Sequence, residues 1–237
     1  MSGHSKWATI KRAKGVTDAK RSQVFTKMAK LITVAAKGGG DPTMNFKLRL
    51  AIDRAREANM PKDNIDRAVK RGAGGGEGAL MEEITYEAYG PGSVAMLIQV
   101  LTDNKNRTHS NLRHLLDTLG GRLADAGSVA WQFESKGIIQ VPLPTSGRDE
   151  LELALIEAGA SDIVEASGQL TVTTEPKSLE AVKTVLTTQG QTPSYADVEM
   201  VGKTTVVVDE AVAAKLNELR EALEADDDVT NTYDNEA

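Results

Sequence analysis

The chain has 237 residues, no cysteine and a formal net charge of −6 at pH 7, and hydrophobic residues make up 40% of it. The lack of cysteine excludes disulfides, thiolate metal sites and a cysteine nucleophile, and no apolar run approaches the ~18 residues of a membrane span. The N-terminus is basic but has no apolar secretory core. These features predict a soluble globular protein, and the absence of cysteine suits a reducing cytoplasm.

The charges are divided unevenly along the chain. Residues 1–72 hold 17 Lys and Arg against 6 Asp and Glu, whereas residues 73–237 hold 11 against 28. A basic head on an acidic body is typical of nucleic-acid-binding proteins, because clustered cations attract the phosphate backbone. The alternative is a solvated surface on which charges happen to cluster, but the size of the excess favours binding.

The basic head is predicted to be an arm followed by a domain of three helices. Residues 1–16 show no helical or strand period, whereas apolar side chains then recur at helical spacing until three glycines end the first helix. Asn45 is suited to cap a second helix, and Pro61 lies where the first turn of a third is expected. In the third helix, Asp63 and Arg67 have the i,i+4 spacing of an ion pair.

Beyond a glycine-rich boundary at residues 71–78, the pattern changes to strands and helices. The order β-α-β-β-α-β over residues 137–202 is that of a ferredoxin-like domain. Before it we expect two strands, a helix and a strand at 128–135 with Trp131 on its buried face, and after it a strand at 203–210 and a helix. The sequence therefore predicts an α+β multidomain protein, with an N-terminal helical domain followed by two α/β domains, one ferredoxin-like and inserted into the other. The predicted domains are residues 1–76, the basic arm plus helical domain; residues 77–136 with 203–237, a discontinuous α/β domain; and residues 137–202, the inserted ferredoxin-like domain.

No constellation of residues in the sequence indicates catalysis. The two glycine-rich stretches lack the spacing of a phosphate-binding loop, and the two histidines on the helix after residue 103 do not share the face that a zinc site needs. Glu82, Glu83 and Glu87 alternate along a strand and are expected to be ordinary solvent-facing charges. The acidic tail from Asp226 is expected to be frayed. We predict a non-enzymatic protein with no cofactor, metal, small-molecule substrate or membrane partner.

The candidate nucleic-acid contacts lie in the arm and on the first helix. The arm's cations have almost no nearby acid, and those of the helix fall on the side opposite its apolar stripe. Two roles are open for Trp7: stacking on an exposed base, worth roughly 1–3 kcal/mol, or docking into the protein's own core. The predicted nucleic-acid-binding residues are Lys6, Trp7, Lys11, Arg12, Lys14, Lys20, Arg21, Lys27 and Lys30.

A second polar cluster, TDNKNRT at residues 102–108, lies in the turn between an apolar strand and a helix. Helix capping needs only one of these side chains. The others are suited either to bind a protein partner or to hold the domain interface together, and the sequence favours neither role. The candidate interaction surface comprises Asp103, Asn104, Lys105, Asn106 and Arg107.

Six stretches of the sequence together resemble one known family. They are GHSKW (3–7), DAKRSQVFTK (18–27), AAKGGGDP (35–42), YGPG (89–92), TDNKNRT (102–108) and GSVAWQF (127–133). Because they occur in the correct order over essentially the whole chain, the sequence is similar to the YebC family, also called the PmpR or translational-activator-of-cytochrome-oxidase family. The resemblance implies three domains, an N-terminal helical one and two α/β domains of which one is inserted in the other.

The resemblance also implies a non-enzymatic role in gene expression. Family members are described mostly as probable transcriptional regulators that bind promoter DNA, and others are translation factors that engage the ribosome. Because the family motif begins at residue 3, we expect no transit peptide and a bacterial cytoplasmic member. We expect a DNA-binding transcriptional regulator or, alternatively, a ribosome- or rRNA-associated translation factor that relieves stalling with the same basic domain. Transcription and translation are two versions of this first hypothesis, and the second hypothesis is a protein-interaction module whose acidic α/β half recruits a partner.

Overall fold

The computed structural model of the protein describes residues 18–74, 81–144, 146–166 and 168–237, with side chains from residue 21. Seven α-helices and eight β-strands lie in these residues, and the strands form two four-stranded antiparallel sheets. No helix among them is long and apolar enough to span a membrane. The elements are α1 (Asp18–Ala36), α2 (Phe46–Glu57), α3 (Lys62–Ala73), β1 (Glu82–Tyr89), β2 (Ala95–Thr102), α4 (Lys105–Thr118), β3 (Arg122–Ala124), β4 (Phe133–Pro142), α5 (Arg148–Glu157), β5 (Ala160–Ala166), β6 (Gln169–Thr174), α6 (Leu179–Thr188), β7 (Tyr195–Gly202), α7 (Glu210–Ala225) and β8 (Val229–Asp234).

Helices α1 to α3 form the helical domain that the apolar spacing predicts. Asn45 caps α2 as expected, because its Oδ1 accepts a hydrogen bond from the backbone N–H of Leu48 at 3.1 Å. The Nδ2 of the same residue donates to the carbonyl oxygens of Ala35 and Gly39 at 2.8 Å. One side chain therefore joins the end of α1 to the start of α2. Pro61 is the N-cap residue of α3, one position before the first turn in which it was expected.

Helices α1 and α3 approach each other closely at Gly72. A β-carbon added at this position would lie 2.1 Å from the carbonyl oxygen of Thr33 and 2.7 Å from the β-carbon of Ala36. Beside it, the Oγ1 of Thr33 is 3.3 Å from the carbonyl oxygen of Ala68. Only glycine permits this separation of the helices, so residues 71–73 pack as part of α3 rather than opening a flexible boundary.

The first sheet has the strand order β3-β1-β2-β8 and is built around β2. This strand is an apolar run that is buried along almost its whole length, as expected for a strand paired on both sides. It pairs with β1 along eight residues and with β8 on its other side. Helices α4 and α7 bury leucines in the same unit, among them Leu112, Leu116, Leu216 and Leu219.

The tail of the chain is ordered, and the prediction that it frays is wrong. Residues 229–234 form β8, and Arg220 of α7 holds them in place: its Nε and Nη2 donate to the carboxylate of Asp234 at 2.8 and 2.7 Å. The same Nη2 donates to Glu236 at 2.7 Å. The strand expected at residues 203–210 does not form, and the tail takes the place beside β2.

The second sheet has the order β5-β6-β4-β7, which is that of a ferredoxin-like fold, with α5 and α6 as its helices. The predicted order of elements over this region is confirmed. The strand expected at residues 128–135 is wrong, however, because residues 130–132 form a short 3₁₀ turn and the sheet begins at Phe133. The side chain of Trp131 is 67% exposed instead of lying on a buried face.

Two compact units divide the described residues. Residues 131–206 and 237 form one unit, and residues 18–130 with 207–236 form the other. The insertion of a ferredoxin-like unit into a discontinuous one is therefore confirmed. The helical domain and the first sheet lie in the same unit, and the start of β4 belongs to the ferredoxin-like unit. The three sets of domain bounds given above stay a prediction.

Candidate nucleic-acid interface

The predicted nucleic-acid contacts fall into three groups by position. Lys6, Trp7, Lys11, Arg12 and Lys14 lie outside the described residues. Lys20 and Arg21 are in the first turn of α1, and Arg21 is exposed at the surface. Lys27 and Lys30 lie further along the same helix.

Lys27 and Lys30 contact the end of α7 instead of facing solvent. Lys27 is 7% exposed, and its Nζ donates to the carbonyl oxygen of Glu224 at 2.6 Å, in the last turn of α7. Burial lowers the pKa of Lys27, although the carboxylates of Asp226, Asp227 and Glu224 oppose this effect. Because a cation at a helix C-terminus is favoured by the helix dipole, these contacts give Lys27 a structural role. Its predicted role as a phosphate contact is untested.

Lys30 is one of several donors to a single carboxylate, that of Asp228. Its Nζ is 3.2 Å from Oδ1 of Asp228, while Oδ2 accepts from Nη2 of Arg107 and from Oγ1 of Thr108, both at 2.8 Å. The hydroxyl of Thr102 lies 3.2 Å from the same oxygen. The side chain of Asp228 is only 8% exposed. This carboxylate therefore joins α1 of the helical domain to β2 and α4 beside the first sheet.

Hydrogen bonding controls the ionisation of Asp228. Burial alone would raise its pKa, but hydrogen bonds from Arg107, Thr108 and Lys30 outweigh burial and lower the pKa to about 2. The carboxylate is therefore charged throughout the physiological pH range, and its charge balances those of Lys30 and Arg107.

The stability of this unit is expected to fall as the pH drops from about 4 to about 2. A carboxyl group whose pKa is depressed by folding stabilises the protein fully above its unfolded pKa, and that contribution disappears as the pH falls through the folded pKa. For Asp228 the change from 3.8 to about 2 corresponds to ~2 kcal/mol. The urea midpoint of the native protein should exceed that of Asp228→Asn at pH 5, and the difference should shrink towards pH 2. A difference that stays constant over this window would contradict the assignment.

The polar turn at residues 102–108 makes its contacts within one unit, and both of its predicted roles stay predictions. Besides binding Asp228, Arg107 is 2.9 Å from the carboxylate of Asp103. Asn104 caps α4 by accepting from the N–H of Arg107 at 3.1 Å, and Lys105 pairs with Glu82 of β1 at 2.5 Å. These contacts hold the turn against its own unit. All five residues of the candidate interaction surface are exposed, and binding of a partner there is untested.

Glu87 is a further carboxylate whose role the sequence did not reveal. It is 9% exposed, and it accepts hydrogen bonds from the N–H groups of Gly127 and Val129 at 2.6 Å and of Ala130 at 2.8 Å. Burial raises the pKa of Glu87, but these N–H groups outweigh burial and the pKa is lowered. The expectation that Glu87 faces solvent is wrong, because it organises the turn that leads into β4.

Asp228 with the cations beside it, and Glu87 with its backbone N–H donors, therefore have structural roles. Among the described residues, no cluster of histidines, aspartates or glutamates is arranged to hold a metal ion. Among the charged side chains of residues 21–74 that are exposed, Lys and Arg outnumber Asp and Glu by eight to four. These features define an α+β protein. A basic three-helix domain and the first sheet share one unit, and a ferredoxin-like unit is inserted into it.

Comparison with known proteins agrees with this class. A family model described as the TACO1/YebC protein N-terminal domain matches residues 5–75, and one described as the TACO1/YebC second and third domain matches residues 81–236. The chain belongs to the TACO1/YebC family, and the resemblance seen in the sequence is confirmed.

Relatives match along the full length of the chain. A protein of Chlorobaculum tepidum is 51% identical over 237 residues, covering 99% of this chain and 94% of its own. One of Trichlorobacter lovleyi is 48% identical over 236 residues, with 99% and 95% covered. Both are named probable transcriptional regulatory proteins. The crystal structure of a conserved hypothetical protein from Aquifex aeolicus superimposes with a TM-score of 0.86 at 41% identity, covering 98% of this chain and 97% of that one.

Proposed function

We propose that the protein is a non-enzymatic, nucleic-acid-binding regulator of gene expression in the cytoplasm, and that it acts as a DNA-binding transcriptional regulator. The observation that carries this proposal is the excess of cations in residues 1–72, 17 against 6 acids. Such an excess attracts phosphates and releases their counterions on contact. The names of the two curated relatives support regulation of transcription.

The contacts of Lys27 and Lys30 narrow the set of cations that we propose as phosphate contacts. Because Lys27 and Lys30 are bonded to the end of α7 and to Asp228, the proposed phosphate contacts are those that precede them in the chain. The acidic body repels phosphate, and so it directs nucleic acid to the basic head. The proposed contacts are Lys6, Lys11, Arg12, Lys14, Lys20 and Arg21, with Trp7 beside them.

A role on the ribosome is the second candidate, and Trp7 is the residue that favours it. An indole among cations is suited to stack on an unpaired base, and structured RNA offers such bases more readily than duplex DNA does. The same basic head would then bind rRNA, and the protein would act as a translation factor that relieves stalling.

Salt dependence of binding tests the proposal. With about six phosphate contacts, log K should fall with log salt at a slope near −5 for duplex DNA and near −4 for single strands. In Lys11→Ala/Arg12→Ala, the loss of two contacts should reduce the magnitude of the slope for duplex DNA by about 2. Binding is measured by fluorescence anisotropy for promoter duplexes and by co-sedimentation for ribosomes, in one salt series.

The matched control is Lys177→Ala/Lys215→Ala, which removes two exposed cations from the acidic body. It should leave both binding curves unchanged. Tighter binding to promoter duplexes than to ribosomes at equal salt supports the transcriptional role, and the reverse supports the ribosomal one. If the arm pair loses no more affinity than the control pair for either ligand, the proposed function is overturned.

A further inference from the structure

A groove of about 330 Å³ lies between α1 and α3 within the helical domain. On the α1 side it is lined by one helical face, at positions 22, 25, 26 and 29. Phe25, Ala29 and Met60 give it an apolar floor, and Asn64, Arg67 and Arg71 of α3 form its polar rim. The tight contact at Gly72 brings the two helices together beyond residue 71.

The two guanidinium groups of the rim are available to an anion. Arg67 donates its Nε to the backbone carbonyl of Asp63 at 3.2 Å and one Nη to the side-chain oxygen of Asn64. Within the described residues, neither Arg67 nor Arg71 forms an ion pair with a carboxylate. The expected ion pair between Asp63 and Arg67 is therefore replaced by a bond to the backbone. Since an arginine carries five N–H donors, several remain free on each side chain.

The chemistry of the groove matches a nucleotide. An apolar floor that contains an aromatic ring suits the face of a base, and a rim of arginines suits the phosphates on either side of it. A base has to be unpaired to enter, since in a duplex both of its faces are stacked. An acidic peptide would satisfy the arginines equally well but would leave the ring of Phe25 without a planar partner.

The position of the groove supports the same occupant. Helix α1 begins at Asp18, about one helical turn before the first groove position, Ser22. Because Lys14 precedes Ser22 by eight residues in the sequence, a polynucleotide bound to the arm is tethered near the groove. The arm itself is a poor occupant, because Lys6, Lys11, Arg12 and Lys14 would add positive charge beside the two arginines of the rim.

We propose that the α1–α3 groove holds one unpaired nucleotide of a polynucleotide, with the base against Phe25 and the flanking phosphates at Arg67 and Arg71. This inference rests on the proposed nucleic-acid function and adds to it a preference for unpaired segments. The shared ligand chemistry is that of a single strand of either RNA or DNA.

The test compares labelled single strands with blunt duplexes of the same sequence, each made as RNA and as DNA, by fluorescence anisotropy with the full chain. Arg67→Ala/Arg71→Ala should weaken single-strand binding roughly 10- to 100-fold and reduce the magnitude of the salt slope by about 1.4, while duplex binding changes less than about threefold. Phe25→Leu keeps an apolar side chain but removes the ring. It should weaken single-strand binding at least about fivefold, with an unchanged unfolding midpoint.

The matched control is Lys62→Ala/Lys70→Ala, which removes two exposed cations from α3 outside the groove. If the groove variants lose no more single-strand affinity than this control, or lose duplex affinity equally, the inference is overturned. It is also overturned if a glutamate-rich peptide binds and only its binding depends on the two arginines. If the groove variants lose affinity only for RNA single strands, the groove is assigned to RNA. If they lose affinity for RNA and DNA single strands alike, it is assigned to single strands in general.

Failure of the groove and failure of the proposed function are distinguishable in this design. If Lys11→Ala/Arg12→Ala weakens binding but the groove variants do not, the proposed function stands and the groove inference falls. If the native protein binds neither single strands, duplexes nor ribosomes, both fall.

Discussion

Replacing Asp228 with alanine is expected to lower the free energy of unfolding of the unit formed by residues 18–130 and 207–236 by about 3 kcal/mol. The substitution leaves the hydroxyls of Thr102 and Thr108, both buried, without their shared acceptor. It also leaves Lys30 and Arg107 close together with no negative charge between them. Since both cations retain some access to water, the cost should fall in the lower part of the range known for broken buried pairs.

Urea unfolding followed by far-UV circular dichroism measures this loss, and hydrogen exchange of the β2 amides locates it. Leu101 is a suitable reporter, because its N–H donates to the carbonyl oxygen of Asp228 at 2.8 Å. Asp227→Ala is the matched control, since it removes an exposed carboxylate from the adjacent position. A loss in Asp228→Ala no larger than in Asp227→Ala would show that the carboxylate does not hold the helical domain to the sheet.

The contacts of Asp228 could not be predicted from the sequence. Apolar spacing predicted α1 to α3, the β-α-β-β-α-β order and the helices on either side of it, because these patterns are local. The partners of Lys27 and Lys30 lie 197 and 198 residues away in the sequence, so no count of nearby acids could find them. From the sequence alone, an acidic stretch such as that from Asp226 is interpreted as a solvated tail, because its cationic partners are not known.

Strand β8 was missed for a related reason. Its sequence, VTNTYD, carries little apolar alternation, and its place in the sheet comes from backbone pairing with the buried β2. The apolar stretch TTVVVDE looked more like a strand, yet Val207 within it is 85% exposed. Backbone hydrogen bonds to the buried β2 and hydrogen bonds from Arg220 to Asp234 therefore determine which segment forms the edge strand. The side-chain pattern does not determine it.

The basic head can be located from the sequence, and its role as a nucleic-acid interface stays a prediction. Composition alone located the basic head, because an uneven division of charge needs no three-dimensional information. Which cations are free depends on packing: Lys27 and Lys30 have partners in the same unit, whereas Arg67, expected to be ion-paired, bonds a backbone carbonyl. Helical spacing places Arg67 and Arg71 on one face of α3, and only the packing of α1 against it makes that face a groove.

Replacing Gly72 with alanine is expected to separate α1 from α3 and to lower the free energy of unfolding by roughly 2–4 kcal/mol. Alanine would gain up to about 1 kcal/mol in helix propensity, but its β-carbon cannot lie 2.1 Å from the carbonyl oxygen of Thr33. Because that atom belongs to the backbone of α1, no side-chain rotation relieves the overlap. The helices have to move apart, and the contact between Thr33 and Ala68 should break with them.

Gly38→Ala is the matched control, because an added β-carbon there meets only the carbonyl of Ala35 and the amide of Asn45, both at 3.6 Å. Urea unfolding should show a clear loss for Gly72→Ala and little change for Gly38→Ala. Equal midpoints would mean that α1 and α3 adjust without cost. Movement of the helices also widens the groove, so we expect Gly72→Ala to bind single strands more weakly at temperatures where the variant remains folded. Its duplex affinity should stay close to that of the native protein, since the arm is untouched.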